Sequence, residues 1–219
     1  MVEIAGALDL IEYISGVLGL KLGEHYRYRL SLGDRNNAKK YFKNDAAWDK
    51  GEALLCDLME KRGGQFEEAP NEAAFYGPKI DIQMKNVNGK EDTAFTVQYD
   101  FCMPDRFDLS YIGEDGKKHR AFVIHRSSVG TIERFMAFLI EKYAGAFPLW
   151  LAPVQVKILP IGETHFLYAT EVMDKLKAAN MRVEMDVSNE TLSKKIRNFK
   201  IEKVPYALVI GDKEVADKK

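Results

Sequence analysis

The first half of the chain begins with patterns typical of helices and one strand. Apolar residues recur at helical spacing within residues 4–20, which predicts an amphipathic helix that Gly19 ends. Polar and apolar residues alternate at 25–32, which predicts a strand. Asp45 is predicted to cap a second helix that ends before Gly63, and polar residues 34–44 are predicted to form a loop.

The middle of the chain has the pattern of an antiparallel sheet. Short alternating segments at 80–83, 93–101 and 121–125 are separated by turn signals, and Asn88-Gly89 is the strongest of these. A long helix is predicted to follow. Its apolar stripe consists of Val129, Ile132, Phe135, Met136, Leu139, Ile140 and Tyr143.

The pattern changes after Pro148 and Pro153. Strands and helices then alternate, which predicts a small parallel or mixed α/β domain. The predicted strands are 154–159, 181–187 and 206–210, and the predicted helices are 163–179 and 190–199. We therefore predict two domains, 1–149 and 150–219.

Composition excludes several classes of protein. The chain has 219 residues, of which 32 are basic and 33 acidic, and its 12 Phe, 10 Tyr and 2 Trp exclude disorder throughout. The two cysteines, Cys56 and Cys102, form neither a disulfide framework nor a CxxC zinc motif. No apolar stretch is long enough to predict a membrane span, and the first helix lacks the basic start of a secretory signal.

Two segments of the predicted sheet carry candidate chemistry. The Gly-Pro turn within 74–79 can hold Tyr76 and Lys79 at the mouth of a pocket, or form a hairpin corner with a core tyrosine. Strict alternation places Thr96, Gln98 and Asp100 on one face of a strand. That face either binds a substrate through hydrogen bonds or contacts water.

Two further segments carry candidate charges. His125 ends a strand, where it is either structural or a ligand, and Arg134 lies three residues after Thr131 on a helix. An arginine directed at a sheet can bind a triphosphate or form a surface ion pair. A basic helix can follow a phosphate backbone or form a solvated face. Its residues are Lys194, Lys195, Arg197 and Lys200, with Lys203 after it.

In this order, five segments closely resemble the threonyl-tRNA synthetases, a family of class II aminoacyl-tRNA synthetases. They are residues 74–79 (AFYGPK), 96–101 (TVQYDF), 124–126 (IHR), 130–135 (GTIERF) and 144–156 (AGAFPLWLAPVQV). The resemblance extends from about Leu8 to the end of the chain. It implies part of an α+β, antiparallel-sheet class II catalytic core that includes motif 3. An α/β anticodon-binding domain, also partial, is implied to follow.

The resemblance also implies residue roles in threonine activation by ATP and transfer to tRNA. By role, the residues are Tyr76 and Gln98 for threonine, Arg134 and Thr131 for ATP, Arg134 and Lys79 for catalysis, His125 for zinc, and Asn189 and Glu214 for the anticodon. Zinc and ATP with magnesium are the implied cofactors. L-threonine, ATP and threonine tRNA are the implied partners, with no membrane and no DNA. The full-length parent is implied to be a cytoplasmic homodimer.

Several family features are not found in this sequence. Motifs 1 and 2, the other two zinc ligands, the editing domain and the end of the anticodon-binding domain are missing, and Thr93 and Ala94 replace a family glutamine and cysteine. We therefore expect a carboxy-terminal portion of a threonine-tRNA ligase that by itself neither activates threonine nor charges tRNA. One alternative is a truncated paralogue that binds tRNA or a protein without catalysis. Another is a chain in which the matches are inherited packing alone.

Overall fold

The computed structural model describes residues 1–63 and 65–218. Its contacts divide the chain into two compact units, Met1–Phe138 and Leu139–Lys219. The predicted domain limits at 149 and 150 stay a prediction.

The first unit is built on one five-stranded sheet. The strand order is β2-β1-β3-β4-β7, and every pairing is antiparallel except β1 with β2. A separate two-stranded hairpin is formed by β5 and β6. The elements are α1 (Val2–Val17), β1 (Tyr26–Ser31), α2 (Asp45–Lys61), β2 (Phe66–Ala69), β3 (Lys79–Lys85), β4 (Glu91–Asp100), α3 (Met103–Arg106), β5 (Ser110–Ile112), β6 (Lys118–Arg120), β7 (Val123–Ser127) and the start of α4 (Ile132–Tyr143).

Strand register separates an apolar face of this sheet from a polar one. Leu30 of β1 lies opposite Ile80 of β3, and Ile80 lies opposite Val97 of β4; all three are at most 1% exposed. Because side chains alternate between the faces of a strand, the residues between them point to the other face. Helices α1 and α2 contribute Leu8 and Trp48 to the buried core, both at most 1% exposed.

Local details of the first unit differ from the sequence predictions. Asn44, not Asp45, caps α2, since its side-chain oxygen accepts a hydrogen bond from the backbone N–H of Ala47 at 3.2 Å. Strands β2 and β6 and the short helix α3 were not predicted. Of the apolar stripe predicted for α4, Phe135 and Leu139 are buried. The stripe residues that are exposed instead are Val129, Ile132, Met136 and Ile140.

The second unit is an α/β fold with a parallel sheet, as predicted. The sheet order is β10-β8-β9, with both pairings parallel. Its core consists of Val156, Ile158, Ala169, Val183 and Ile210. The elements are β8 (Val156–Pro160), a 3-10 turn (Glu163–His165), α5 (Phe166–Ala178), β9 (Val183–Met185), α6 (Leu192–Glu202), β10 (Tyr206–Ile210) and α7 (Asp212–Asp217), the last of which was not predicted.

Within the part of the chain that the structure describes, no helix combines the length and the hydropathy needed to cross a membrane.

Candidate functional site

The polar face of the five-stranded sheet collects four of the candidate residues. Lys79 of β3 lies opposite Gln98 of β4, and Gln98 lies opposite His125 of β7. Paired residues of neighbouring strands point to the same face, so the three side chains form one row across the sheet. Tyr76 comes just before β3 and reaches this row, because its hydroxyl donates a hydrogen bond to Gln98 Oε1.

Tyr76 and Gln98 form a short hydrogen-bonded chain. The Gln98 amide donates from Nε2 to Thr96 Oγ1 at 3.0 Å. Burial and the negative charge of Asp100 raise the pKa of Tyr76, so its hydroxyl stays protonated at neutral pH. Gly77 brings this turn against β4, since a Cβ atom at Gly77 would lie 1.8 Å from the carbonyl oxygen of Tyr99. The turn therefore requires glycine there.

His125 lies beside this chain and contacts a buried carboxylate. Its Nε2 lies 2.8 Å from Asp100 Oδ2, and its ring centroid lies 5.2 Å from that of Tyr76. The other oxygen of Asp100 accepts the backbone N–H groups of Cys102 and Met103, both at 2.9 Å. Asp100 is fully buried and thus fixes the orientation of the histidine ring.

A zinc site is not complete among these residues. Across residues 1–63 and 65–218, no group of three or more His, Cys, Asp or Glu side chains is placed to hold a metal ion. His125 and Asp100 offer at most two donor groups, whereas zinc sites in proteins use three or four protein ligands. The described residues therefore do not fit a zinc ion by themselves.

A second cluster on the polar face surrounds Asp81, a residue that sequence reasoning did not single out. Its Oδ2 accepts hydrogen bonds from Lys79 Nζ at 2.7 Å, Ser31 Oγ at 2.8 Å and Arg29 at 3.1 Å. Asp81 is 0% exposed, and its Oδ1 is buried with no hydrogen-bond partner among the described residues. In the sequence, the sign of this cluster was an acidic residue between Ile80 and Ile82 in a predicted strand.

Arg134 contacts β4 near the start of that strand. It lies in the first turn of α4 and donates from NH1 to the carbonyl oxygen of Thr93 at 3.0 Å. Thr131 precedes the helix, is exposed, and accepts a backbone hydrogen bond from Phe135 at 3.0 Å. The five residue steps from Thr93 to Gln98 correspond to roughly 16 Å along a strand at 3.3 Å per residue. Strand β4 thus has Arg134 in contact with Thr93 near its start and Lys79 opposite Gln98 near its end.

The second unit has its candidate residues at one edge of the parallel sheet. In open α/β sheets, ligands bind outside the carboxyl ends of strands, where the strand order reverses. Here the order reverses at β8, because β9 and β10 lie on opposite sides of it. Asn189 is exposed in the segment that follows β9, and Glu214 lies in the first turn of α7, directly after β10.

Glu214 also has a structural contact. Its Oε2 accepts the backbone N–H of Gly211 at 2.9 Å, which caps α7. One carboxylate oxygen is thus used within the chain. The structure therefore brings together Tyr76, Lys79, Gln98 and His125 in one unit, and Asn189 and Glu214 at one edge of the other. The roles of these six residues and of Thr131 and Arg134 stay predictions.

Comparison with known proteins gives consistent matches in both units. Residues 7–143 match the family described as "tRNA synthetase class II core domain (G, H, P, S and T)". Residues 155–219 match the family described as "Anticodon binding domain".

The threonine–tRNA ligases of two bacteria are similar in sequence. The protein of Listeria monocytogenes is 55% identical over 191 residues, which are 87% of this chain and 30% of that protein. The protein of Oceanobacillus iheyensis is 48% identical over 214 residues, which are 97% of this chain and 33% of that protein. The chain thus spans about a third of the length of these curated relatives.

Two solved structures are similar in fold. The RNA-binding domain of threonyl-tRNA synthetase from Cryptosporidium parvum has a TM-score of 0.89 and 34% identity, and the match covers 99% of this chain and 53% of that one. The putative threonyl-tRNA synthetase ThrRS-1 from Aeropyrum pernix has a TM-score of 0.72 and 29% identity, covering 97% and 52% of the two chains.

Proposed function

This chain belongs to the class II aminoacyl-tRNA synthetases, and from that premise we propose that it is part of an enzyme that activates L-threonine with ATP and transfers it to its tRNA. The relatives at 48–55% identity are named as threonine–tRNA ligases. Because this chain spans about a third of their length, the activity is proposed for the whole protein that contains it.

The observation that carries the proposal is the cluster of Tyr76, Gln98 and His125 on the polar face. The contacts fix the Tyr76 hydroxyl and the Gln98 amide beside each other. Threonine differs from valine by a hydroxyl group, and a site built to hydrogen-bond that group rejects an analogue that lacks it. We propose that Tyr76 and Gln98 line the threonine pocket.

Positive charge near the two ends of β4 supports ATP binding, since Arg134 contacts Thr93 and Lys79 lies opposite Gln98. We propose that Arg134 and Thr131 contact ATP and that Arg134 and Lys79 are the catalytic residues. Guanidinium and ammonium groups stabilise the charge that develops on phosphate oxygens when the threonine carboxylate attacks the α-phosphate and displaces pyrophosphate. Arg134 must then exchange the carbonyl oxygen of Thr93 for a phosphate oxygen. Magnesium bound with ATP would supply further positive charge.

His125 is the one residue of this sequence that we propose as a zinc ligand. We propose that His125 is one of three zinc ligands in the full-length protein, with the other two outside this sequence. The described residues do not complete that site. We expect the chain alone to lack threonine activation for this reason.

The second unit supports a role in tRNA recognition. The matching family is described as an anticodon-binding domain, and Asn189 and Glu214 follow the carboxyl ends of β9 and β10, where open α/β sheets bind ligands. We propose that these two residues contact anticodon bases. A cytoplasmic homodimer is the proposed form of the full-length protein.

Amino-acid-dependent exchange of pyrophosphate into ATP tests the proposed reaction. We expect exchange with threonine by the full-length protein, much weaker exchange with valine, and none by the 219-residue chain. A full-length protein that prefers another amino acid overturns the proposal. If neither form exchanges but the chain binds threonine tRNA, the alternative of a non-catalytic binding module is correct.

A further inference from the structure

The basic helix α6 contains one lysine that is not on its surface. Lys195 is 2% exposed, although the sequence suggested either a phosphate-binding surface or a solvated face. Its Nζ donates to the carbonyl oxygen of Pro160 at 3.1 Å and to that of Asp186 at 3.2 Å. Pro160 is the last residue of β8, and Asp186 is the first after β9. One ammonium group therefore joins the carboxyl ends of two neighbouring strands to α6.

The segment that follows β9, which Lys195 holds at Asp186, continues to Asn189. Asp186 Oδ1 accepts hydrogen bonds from the backbone N–H and the hydroxyl of Ser188, which close a tight turn. Burial opposes ionisation of Asp186, but these hydrogen bonds and the charges of Lys195 and Lys157 lower its pKa. At the far end, the Thr191 side chain caps α6. Asn189 is exposed between these two fixed points.

Burying an ammonium group has a large desolvation cost, which hydrogen bonds offset. A lysine that satisfies two strand-end carbonyls fixes their relative position in a way that an apolar side chain of similar length does not. We propose that Lys195 is a positioning residue for anticodon reading: it fixes segment 186–190, and with it Asn189, at the binding edge of the sheet. This inference rests on the proposed function, in which Asn189 contacts an anticodon base.

The test measures anticodon discrimination by the full-length protein. Dissociation constants are determined for a threonine tRNA transcript and for transcripts with one anticodon base replaced, and their ratio is the readout. We expect Lys195→Met to lower this ratio by about tenfold, which corresponds to about 1.4 kcal/mol. Lys175→Met, the same change at an exposed position of α5, is the matched control and leaves the ratio unchanged. An unchanged ratio in Lys195→Met overturns the proposal.

The salt dependence of binding separates positioning from direct contact. Because the Lys195 ammonium is buried, we expect Lys195→Met to leave the slope of log affinity against log salt unchanged. A slope reduced by about 1 indicates that Lys195 contacts a phosphate, which overturns the positioning role.

A second variant keeps the test valid if Lys195→Met does not fold. Ser188→Ala loosens the same segment from the exposed side, and we expect a smaller fall in the discrimination ratio. Asn189→Ala tests the proposed function itself. If Asn189→Ala leaves the ratio unchanged, anticodon reading by Asn189 is wrong. If Asn189→Ala lowers the ratio but Lys195→Met and Ser188→Ala do not, only the positioning role is wrong.

Discussion

Gln98 accepts a hydrogen bond from Tyr76 and donates one to Thr96, so its amide is oriented by residues of its own chain. His125 is oriented in the same way by the buried carboxylate of Asp100. Sites with residues fixed before a ligand arrives lose less entropy on binding. At the residue scale, the polar face is therefore organised in advance of any substrate.

Tyr76→Phe tests this organisation directly. In the full-length protein, we expect kcat/KM for threonine-dependent exchange to fall by about fivefold, because one hydrogen bond is worth about 1 kcal/mol and Gln98 then keeps only its contact with Thr96. Tyr13→Phe makes the same change at a side chain that is 70% exposed and is the matched control. Equal exchange by the two variants would contradict a role for the Tyr76 hydroxyl.

Glu91 provides a pH-dependent test of stability. Arg27 binds it through two hydrogen bonds of 2.8 Å and 2.6 Å, which lower the pKa of the carboxylate. A carboxylate with a lowered pKa stabilises the folded state above its ordinary pKa of about 4.3. That contribution is lost as the pH falls below this value, through the pKa of the folded state.

We expect the free energy of unfolding of Glu91→Gln to change less with pH than that of the unmodified chain in this acidic window. Urea unfolding at a series of pH values measures it. Glu114→Gln, at an exposed turn position, is the control and should retain the original pH dependence. Identical profiles for all three proteins would show that the pair with Arg27 does not contribute.

At the element scale, α4 is held against β4 by a close backbone approach. Gly130 has a φ of +69°, and a Cβ atom there would lie 2.1 Å from the carbonyl oxygen of Ala94. Only glycine allows both the left-handed conformation and this contact. The approach also places Arg134 within reach of Thr93. The segment that leads into α4 is therefore held in a fixed position against β4.

Gly130→Ala is expected to destabilise the chain by about 2 kcal/mol or more, since the added methyl group forces the backbone to move. Thermal unfolding followed by circular dichroism measures this loss. Gly6→Ala is the opposite control, because Gly6 lies within α1 with nothing within 4 Å of an added Cβ. Alanine there should stabilise the helix by about 0.5–1 kcal/mol. Similar melting temperatures for both variants would contradict the close approach.

At the scale of the whole molecule, the two units present different kinds of surface. The first presents a polar sheet face with hydrogen-bonding groups and cations. The second presents the carboxyl edge of a parallel sheet beside a helix with basic residues. The chain has a formal net charge of −1, so the RNA binding that we propose requires local positive charge rather than the total charge. Arg197 and Lys200 are the exposed basic residues of α6 whose side chains enter no described ion pair.

Arg197→Gln is expected to weaken binding of threonine tRNA to the full-length protein equally for all anticodon sequences. If Arg197 contacts a phosphate, the slope of log affinity against log salt falls by about 1. Titrations at several salt concentrations measure it, with Lys175→Gln on α5 as the control. A slope unchanged by Arg197→Gln would mean that this face of α6 does not contact RNA.

Much of the fold could be predicted from local patterns. The antiparallel strands of the first unit, the Asn88-Gly89 hairpin and the parallel α/β fold of the second unit are confirmed, because alternation and turn residues act over a few positions. The resemblance to threonyl-tRNA synthetases is confirmed by relatives at 48–55% identity. The short elements β2, β6 and α7 were missed, because segments of three to six residues carry little periodic signal.

The sequence by itself determined the order and type of the main elements, the family and the residues that merit a functional test. Only the tertiary structure decided which of these residues meet. Asp81 accepts a hydrogen bond from Arg29, which is 52 residues away in the chain, and His125 contacts Asp100, which is 25 residues away. Both contacts form because strand register aligns the residues. The burial of Lys195 within a basic helix depends in the same way on the ends of β8 and β9. Such contacts are set by non-local packing, which local periodicity does not encode.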